Sequence, residues 1–310
     1  MHDARLLSFD LAAGRTFPDV PFRTRHRLAD HPLLSLRALA ELAGQIDRDR
    51  VEYNSGRLNP NQPPDQTPGV DLEPADVVRQ IETAGAWMVL KRVETIPPYR
   101  ELIEACLADA ATTLKHGRAG SLTMSDAQGF IFVSSANAVT PFHVDYEQNF
   151  FVHIRGEKFM HVFDNRDRSL VSDRDLETYP GKHRNHFYAE SFERKAEVYR
   201  FLPGDGMFLP YTWPHWVRNG NQWTISMAIT WKSPLNLRHN KLYFINAVLR
   251  RAGLPQSPPG GQRIWDGVKI AAYDGAHALV EPLRRSEAGR RRLRQAMFGR
   301  RANYFYGQRT

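Results

Sequence analysis

The nine residues WTISMAITW, Trp223 to Trp231, leave this chain few folds to choose from. Bulky apolar side chains at Trp223, Ile225, Met227, Ile229 and Trp231 alternate with Thr224, Ser226, Ala228 and Thr230. Successive side chains of a strand point to opposite faces, so a period of two describes a strand with one bulky face and one small, partly hydroxylated face. Runs of similar texture begin near Gly129: GFIFVSS, NFFVHIRG, KFMHVFD, EVYRFL and GMFLP, divided by glycine, proline and asparagine. Many short strands with no helices between them predict an antiparallel sandwich or barrel.

Helical spacing brackets this β region. HPLLSLRALAELAGQI, PADVVRQIETAG and PPYRELIEACLADAATTLKHG read as helices before it, the last opened by proline and closed by Gly117. Between the first two lies NSGRLNPNQPPDQTPGVDLEP, too rich in proline, glycine and asparagine for a regular element. A connector of that length inside a compact chain is often functional. After Pro234, NKLYFINAVLRRAGL and WDGVKIAAYDGAHALVEPLRR restore the helical period. The predicted architecture is mainly β at its centre with helical flanks. Residues 1–120 form a helical and loop region packed on the core, 121–234 the β core, and 235–310 a helical region with a basic tail.

Composition removes several function classes. A chain of 310 residues with one cysteine, Cys106, has neither a disulfide framework nor a cysteine metal site, which suits a reducing cytoplasm. No apolar run approaches the length of about eighteen residues that spans a membrane, and the early acids of MHDARLLSFD do not read as a secretory signal. The formal charge of +8 is concentrated after Glu281, where nine arginines face only Glu281 and Glu287. Such a tail can meet nucleic acid, an anionic surface or an acidic partner. No nucleic-acid motif accompanies it, so the preferred reading is a solvated basic helix with Leu283, Leu293, Met297 and Phe298 on its apolar side.

The stretch TPFHVDYEQNFFVHIRGEK, Thr140 to Lys158, carries the chemistry. Residues i and i+2 of a strand share a face, so His143 and Asp145 aim an imidazole and a carboxylate at one point while Val144 faces away. Two histidines and one carboxylate hold a redox metal and leave positions open for substrate and oxygen. The remaining ligand is expected from a distant strand. His153 and His161 lie inside strand-like runs, and His183 and His186 lie in the charged loop YPGKHRNH. His215 ends the proline-bracketed aromatic corner of PGDGMFLPYTWPHW and is the preferred third ligand.

From Gly129 to Pro234 the chain resembles the cupin-type, JmjC-like family of iron(II)- and 2-oxoglutarate-dependent oxygenases. Within that family it is most similar to the branch that hydroxylates asparagine in hypoxia-inducible factor. That branch's pattern TPxHxDxxxNFFxxIxGxK is met without a gap, and PGDxxxxPxxWxH fits the later block. The resemblance implies a double-stranded β-helix, or jelly roll. It implies Fe(II) held by His143, Asp145 and His215. The distal carboxylate of 2-oxoglutarate would pair with Lys158 and take a hydroxyl from Thr140, with Asn149 as a further candidate for the cosubstrate or oxygen pocket. Physical chemistry agrees, because a dicarboxylate in an apolar barrel needs a charge-assisted partner. The otherwise expected place for Lys158 is a strand edge, reaching solvent. The family's asparagine on the last core strand is missing; its place falls at Ile229 or Thr230.

The implied activity is hydroxylation of a C–H bond, on a protein or peptide side chain, with succinate and carbon dioxide released. N-demethylation uses the same oxidant. A homodimer through the C-terminal helices is a further expectation. Two other readings compete. One is a metal-binding cupin that senses or regulates without turnover. The other is a zinc, manganese or oxygen-only enzyme built on three or four histidines, which has no use for Thr140 and Lys158.

Overall fold

The computed structural model describes residues 5–10, 12, 15–114, 124–177, 185–284 and 286–298. The Gly117 helix stop, His183 and the tail beyond Phe298 lie outside the described residues. The chain divides into two compact units, one of Met1–Asp164 with Phe187–Ser233, the other of Asn165–His186 with Pro234–Thr310.

Among the described residues, twelve strands build the first unit: β1 (Leu7–Ser8), β2 (Phe22–His26), β3 (Val51–Ser55), β4 (Ala86–Lys91), β5 (Ser125–Ser134), β6 (Val139–His143), β7 (Gln148–Arg155), β8 (Lys158–Val162), β9 (Glu197–Phe201), β10 (Asp205–Leu209), β11 (His215–Asn219) and β12 (Thr224–Lys232). They pair antiparallel in a large sheet of order β1-β2-β10-β7-β12-β5-β4-β3 and a small one of order β6-β11-β8-β9. The helices here are α1 (Leu36–Gln45), α2 (Pro74–Arg79) and α3 (Pro97–Leu114). Ser35 caps α1 by accepting the Ala38 amide.

The alternation read in WTISMAITW separates two cores. Ile225, Met227, Ile229 and Trp231 are buried with Phe150 and Val152 of β7 against Leu102, Ile103 and Cys106 of α3. The opposite face of the large sheet turns Phe151, Met207 and Leu209 toward Met160, Val162, Phe201 and Val217 of the small sheet. The two sheets therefore share a core of their own. Gly129 of β5 lies under the helices, where a Cβ would stand 2.6 Å from Ile103 Cδ1 and 2.7 Å from Val93 Cγ2.

The amino-terminal region is more β-rich than its sequence texture indicates. The first fifty residues read as loop and short helix, and α1 is there, but β1 and β2 also extend the large sheet. β2 is FRTRH, with Phe22, Thr24 and His26 buried and Arg23 and Arg25 exposed. Its alternation hides because the inward positions include a threonine and a histidine. β3 and β4 complete the other end of the sheet. The proline-rich connector after β3 is irregular apart from a single 3₁₀ turn at Pro64–Gln66. It follows β6, whose Val139 amide donates to the Gly56 carbonyl (3.0 Å) and whose Phe142 amide donates to that of Pro60 (2.8 Å). Gly56 has no room for a side chain, since a Cβ would lie 2.8 Å from that of Ala138.

The second unit contains α4 (Asp173–Leu176), α5 (Pro234–Arg251), α6 (Arg263–Arg284) and α7 (Glu287–Phe298). Its interior combines apolar Leu176, Leu242 and Tyr243 with buried polar groups. The buried Lys269 ammonium donates to Asn246 Oδ1 (2.8 Å) and lies 3.0 Å from Asp266 Oδ1, an ion pair without hydrogen-bond alignment. Asn246 donates to Glu177 (3.0 Å), which Arg250 also grips. Buried ions are tolerated when each is paired. No described helix is long and apolar enough to cross a membrane.

Gly129→Val is expected to destabilise the first unit by about 1–3 kcal/mol through overpacking, measured by urea denaturation. Metal affinity should be unchanged, because residue 129 lies on the helix-facing side of the sheet.

Candidate metal centre

His143 is the last residue of β6 and His215 the first of β11, and the two are register partners across the antiparallel pair. The third ligand is thus remote in sequence but belongs to the neighbouring strand, closer than the sequence led us to expect. Directly opposed residues share a face, and the ring centroids are 4.1 Å apart. Asp145 lies just past the end of β6, where its carbonyl accepts the Thr212 amide at 2.5 Å. Val144 between them is fully buried. The His215 Nε2 to Asp145 Oδ2 distance is 3.9 Å, and one donor atom from each of the three residues lies within 4.8 Å of the others. These three side chains would hold a metal ion between them.

Both imidazoles are already oriented for that task. His143 Nδ1 donates to the Pro141 carbonyl at 2.7 Å, and His215 Nδ1 to that of Trp213 at 3.0 Å. A carbonyl only accepts, so each Nδ1 carries hydrogen and Nε2 is left as the ligating nitrogen of each ring. Burial, followed by the neighbouring His143, pulls the His215 pKa down to about 4, against the opposing pull of Asp145. His215 is therefore neutral at physiological pH, with no proton to displace. Fit is good: two imidazoles and a carboxylate are the donor set of a redox iron site with open positions.

Lys158 begins β8 and is 5% exposed. It is not the solvent-reaching edge lysine of the simplest reading. It shares the inward face with Met160 and Val162, the latter paired with His215. Its ammonium stands 5.8 Å from the Phe151 ring, and no described residue offers it a hydrogen bond or an ion pair. Burial alone lowers its pKa to about 7. A cation so placed is costly without an anion.

Other sequence-predicted residues fall around this face. Thr140 of β6 is the register partner of Val217 and accepts the Trp87 indole N–H at 2.9 Å. Asn149 is buried on β7 opposite Thr230 of β12, and both Asn149 Oδ1 and Thr230 Oγ1 are buried without a hydrogen bond. Of the two candidate places on the last core strand, Thr230 adjoins Asn149 and Ile229 is turned into the helix-side core. His153 lies on the inner face as a fixed neutral imidazole, donating through Nε2 to Gly156 and accepting Ser226 through Nδ1. Its pKa is lowered to about 3 by burial, then by Lys158. His161 stacks on Trp216 at 3.8 Å and bonds to Glu193, away from the three ligands. Phe151 and Trp213 join the inter-sheet core.

Sequence reasoning missed Trp87, Ser134 and Thr224. Ser134 Oγ and Thr224 Oγ1 are buried without partners and adjoin each other across β5 and β12. The small face of WTISMAITW was the available clue to Thr224. Nothing in AWMVLK marks Trp87 as more than a core aromatic.

No family model and no curated protein matches the chain. Among solved structures it is similar to the Escherichia coli ribosomal oxygenase YcfD in complex with cobalt and 2-oxoglutarate, at 15% identity and a TM-score of 0.44. That match covers 84% of this chain and 63% of the other. A second structure of YcfD gives 15% identity and a TM-score of 0.46 over 84% and 64%. The chain thus spans less than two thirds of the length of these structures.

Lys158 makes stability depend on pH with a definite sign. Its pKa falls from 10.5 unfolded to about 7 folded, so between these values the unfolded chain binds more protons and stability rises with pH. The penalty of the buried ammonium is fully present below pH 7. Lys158→Met should therefore be more stable than the parent at pH 6.5 in urea denaturation, with the advantage shrinking toward pH 9. An equal difference at both values would exclude the buried-cation account.

Proposed function

We propose that this chain is an iron(II)- and 2-oxoglutarate-dependent oxygenase of the JmjC-like type, hydroxylating a C–H bond of a protein or peptide side chain. The observation that carries the reading is the buried, unpaired Lys158 ammonium on the same sheet face as the His143 and His215 imidazoles. A sensor or structural metal site has no need of that cation, nor does an enzyme built on three or four histidines. Strand order supports the fold named by the resemblance. β10-β7-β12-β5 against β6-β11-β8-β9 is eight strands that alternate between two sheets except at β8 and β9, which pair with each other, as in a double-stranded β-helix.

In this reading His143, Asp145 and His215 hold the ion through the two Nε2 lone pairs and a carboxylate oxygen. Lys158 and the Thr140 hydroxyl bind the distal carboxylate. Asn149 and Thr230 supply buried polar atoms near the metal end of the large sheet, and the inter-sheet core excludes water. When bound, iron and 2-oxoglutarate supply an oxidant made from O2, with succinate and carbon dioxide as co-products. No protein nucleophile or general base is required.

Anaerobic titration should show one Fe(II) per chain and a weak charge-transfer band on adding 2-oxoglutarate. Asp145→Ala is expected to abolish the band, and succinate release against peptide pools should require iron. Metal binding without any 2-oxoglutarate-dependent signal would leave the non-catalytic cupin as the surviving reading.

The helical unit supports self-association as a second element. Ile264 (88% exposed), Val268 (51%) and Leu279 (84%) form an apolar stripe on α6 with Ala271, Ala272 and Gly275. Paired antiparallel with a second copy, Ile264 would meet Leu279, Val268 would fill the space at Gly275, and Arg263 would approach Glu281. Light scattering should then report a dimer that Val268→Glu converts to monomer; an unchanged mass for both proteins would exclude this interface.

A further inference from the structure

We propose that Trp87 is a positioning residue for the distal carboxylate of the cosubstrate. Its indole N–H fixes the Thr140 hydroxyl so that the hydroxyl hydrogen is directed to that anion. The inference rests on the cosubstrate reading above and adds to it a residue outside the motif that suggested the reading.

The direction of one hydrogen bond carries the argument. Trp87 Nε1 and Thr140 Oγ1 are 2.9 Å apart, joining β4 of the large sheet to β6 of the small one. An indole nitrogen can only donate, so the threonine oxygen accepts. That leaves the single hydroxyl hydrogen of Thr140 unspent, and no described residue receives it. Without Trp87 the hydroxyl is a free rotor that can turn its hydrogen elsewhere. With Trp87 one lone pair is taken, and the hydrogen points away from the indole.

Register shows what lies nearby. Trp87 pairs with Ser134 of β5, and Ser134 with Thr224 of β12, so the three form one row on the inner face of the large sheet. Asn219 of β11, the register partner of Lys158, donates across the sandwich to the carbonyl of Ser135 at 2.8 Å. This row and the Lys158 end of the small sheet therefore adjoin. An unpaired ammonium, an uncommitted Thr140 hydrogen and the unbonded Ser134 and Thr224 hydroxyls collect at one end of the inter-sheet space. Every one of these groups can donate, which is the chemistry of a carboxylate site. Trp87 makes no contact with the anion in this scheme; it acts through Thr140.

The test uses Trp87→Phe, which keeps a ring to pack on Phe132 (centroids 5.9 Å apart in the parent) but lacks the N–H. Calorimetric titration of the Mn(II)-loaded full chain with 2-oxoglutarate reads binding without turnover. We expect Trp87→Phe to weaken 2-oxoglutarate about tenfold, as for loss of an organised hydrogen bond to a charged group, with Mn(II) affinity unchanged. Thr140→Val should weaken it at least as much, Thr140→Ser should remain near the parent, and the Trp87→Phe/Thr140→Val double variant should be no worse than Thr140→Val. In turnover, KM for 2-oxoglutarate should rise while kcat at saturation is retained. Parental affinity in Trp87→Phe, or penalties that add in the double variant, would overturn the proposal. Should Trp87→Phe fail to fold, parental affinity in Thr140→Val alone would overturn it. A parent chain that binds Mn(II) but no 2-oxoglutarate would instead remove the cosubstrate reading itself.

Discussion

Every strand of a sheet has two faces, and in the large sheet they carry opposite duties. One is dense and apolar, and its burial against α3 supplies much of the hydrophobic drive for the first unit. The other has Thr224, Ser226, Ala228 and Thr230 where bulk would otherwise stand. That choice leaves room between the sheets for polar side chains and the Lys158 ammonium. A register slip of one residue would exchange the two faces along a whole strand, so the helix-side packing also holds the polar side in place.

This division explains which parts of the molecule were legible beforehand. The central strands announce themselves because their apolar residues alternate with small ones, and His143, Asp145 and His215 stand out because few other groupings fit a metal. β2 escaped notice since FRTRH places Thr24 and His26 inward and arginines outward. The boundary between the units was equally hidden. Residues 165–186 fall within the β region by sequence yet belong to the helical unit, an association made by long-range contacts such as Glu177 with Asn246 and Arg250. Local pattern has no access to such pairings. Trp87 was illegible for the same reason, because its partner Thr140 lies in a different sheet.

The electrostatics of the inter-sheet space run counter to stability. Lys158 and the unbonded hydroxyls cost free energy in the folded chain that better-packed apolar groups would not. Groups retained at such a cost mark a place where the fold gives up stability for binding. The histidines differ in this respect. The Nδ1 atoms of His143 and His215 are satisfied by main-chain carbonyls, so these candidate metal ligands are oriented without orphaning those donors.

The strand that carries His143 lies at the margin of its sheet, yet it is not open to another chain. Val139 and Phe142 already give their outward amides to the proline-rich connector, and Pro141 between them has none to give. Main-chain augmentation of this margin is therefore closed to an incoming polypeptide. Were the substrate a polypeptide, as proposed, it would be selected by what its side chains fit rather than by ladder pairing with β6, which favours discrimination by residue identity over capture of extended segments in general.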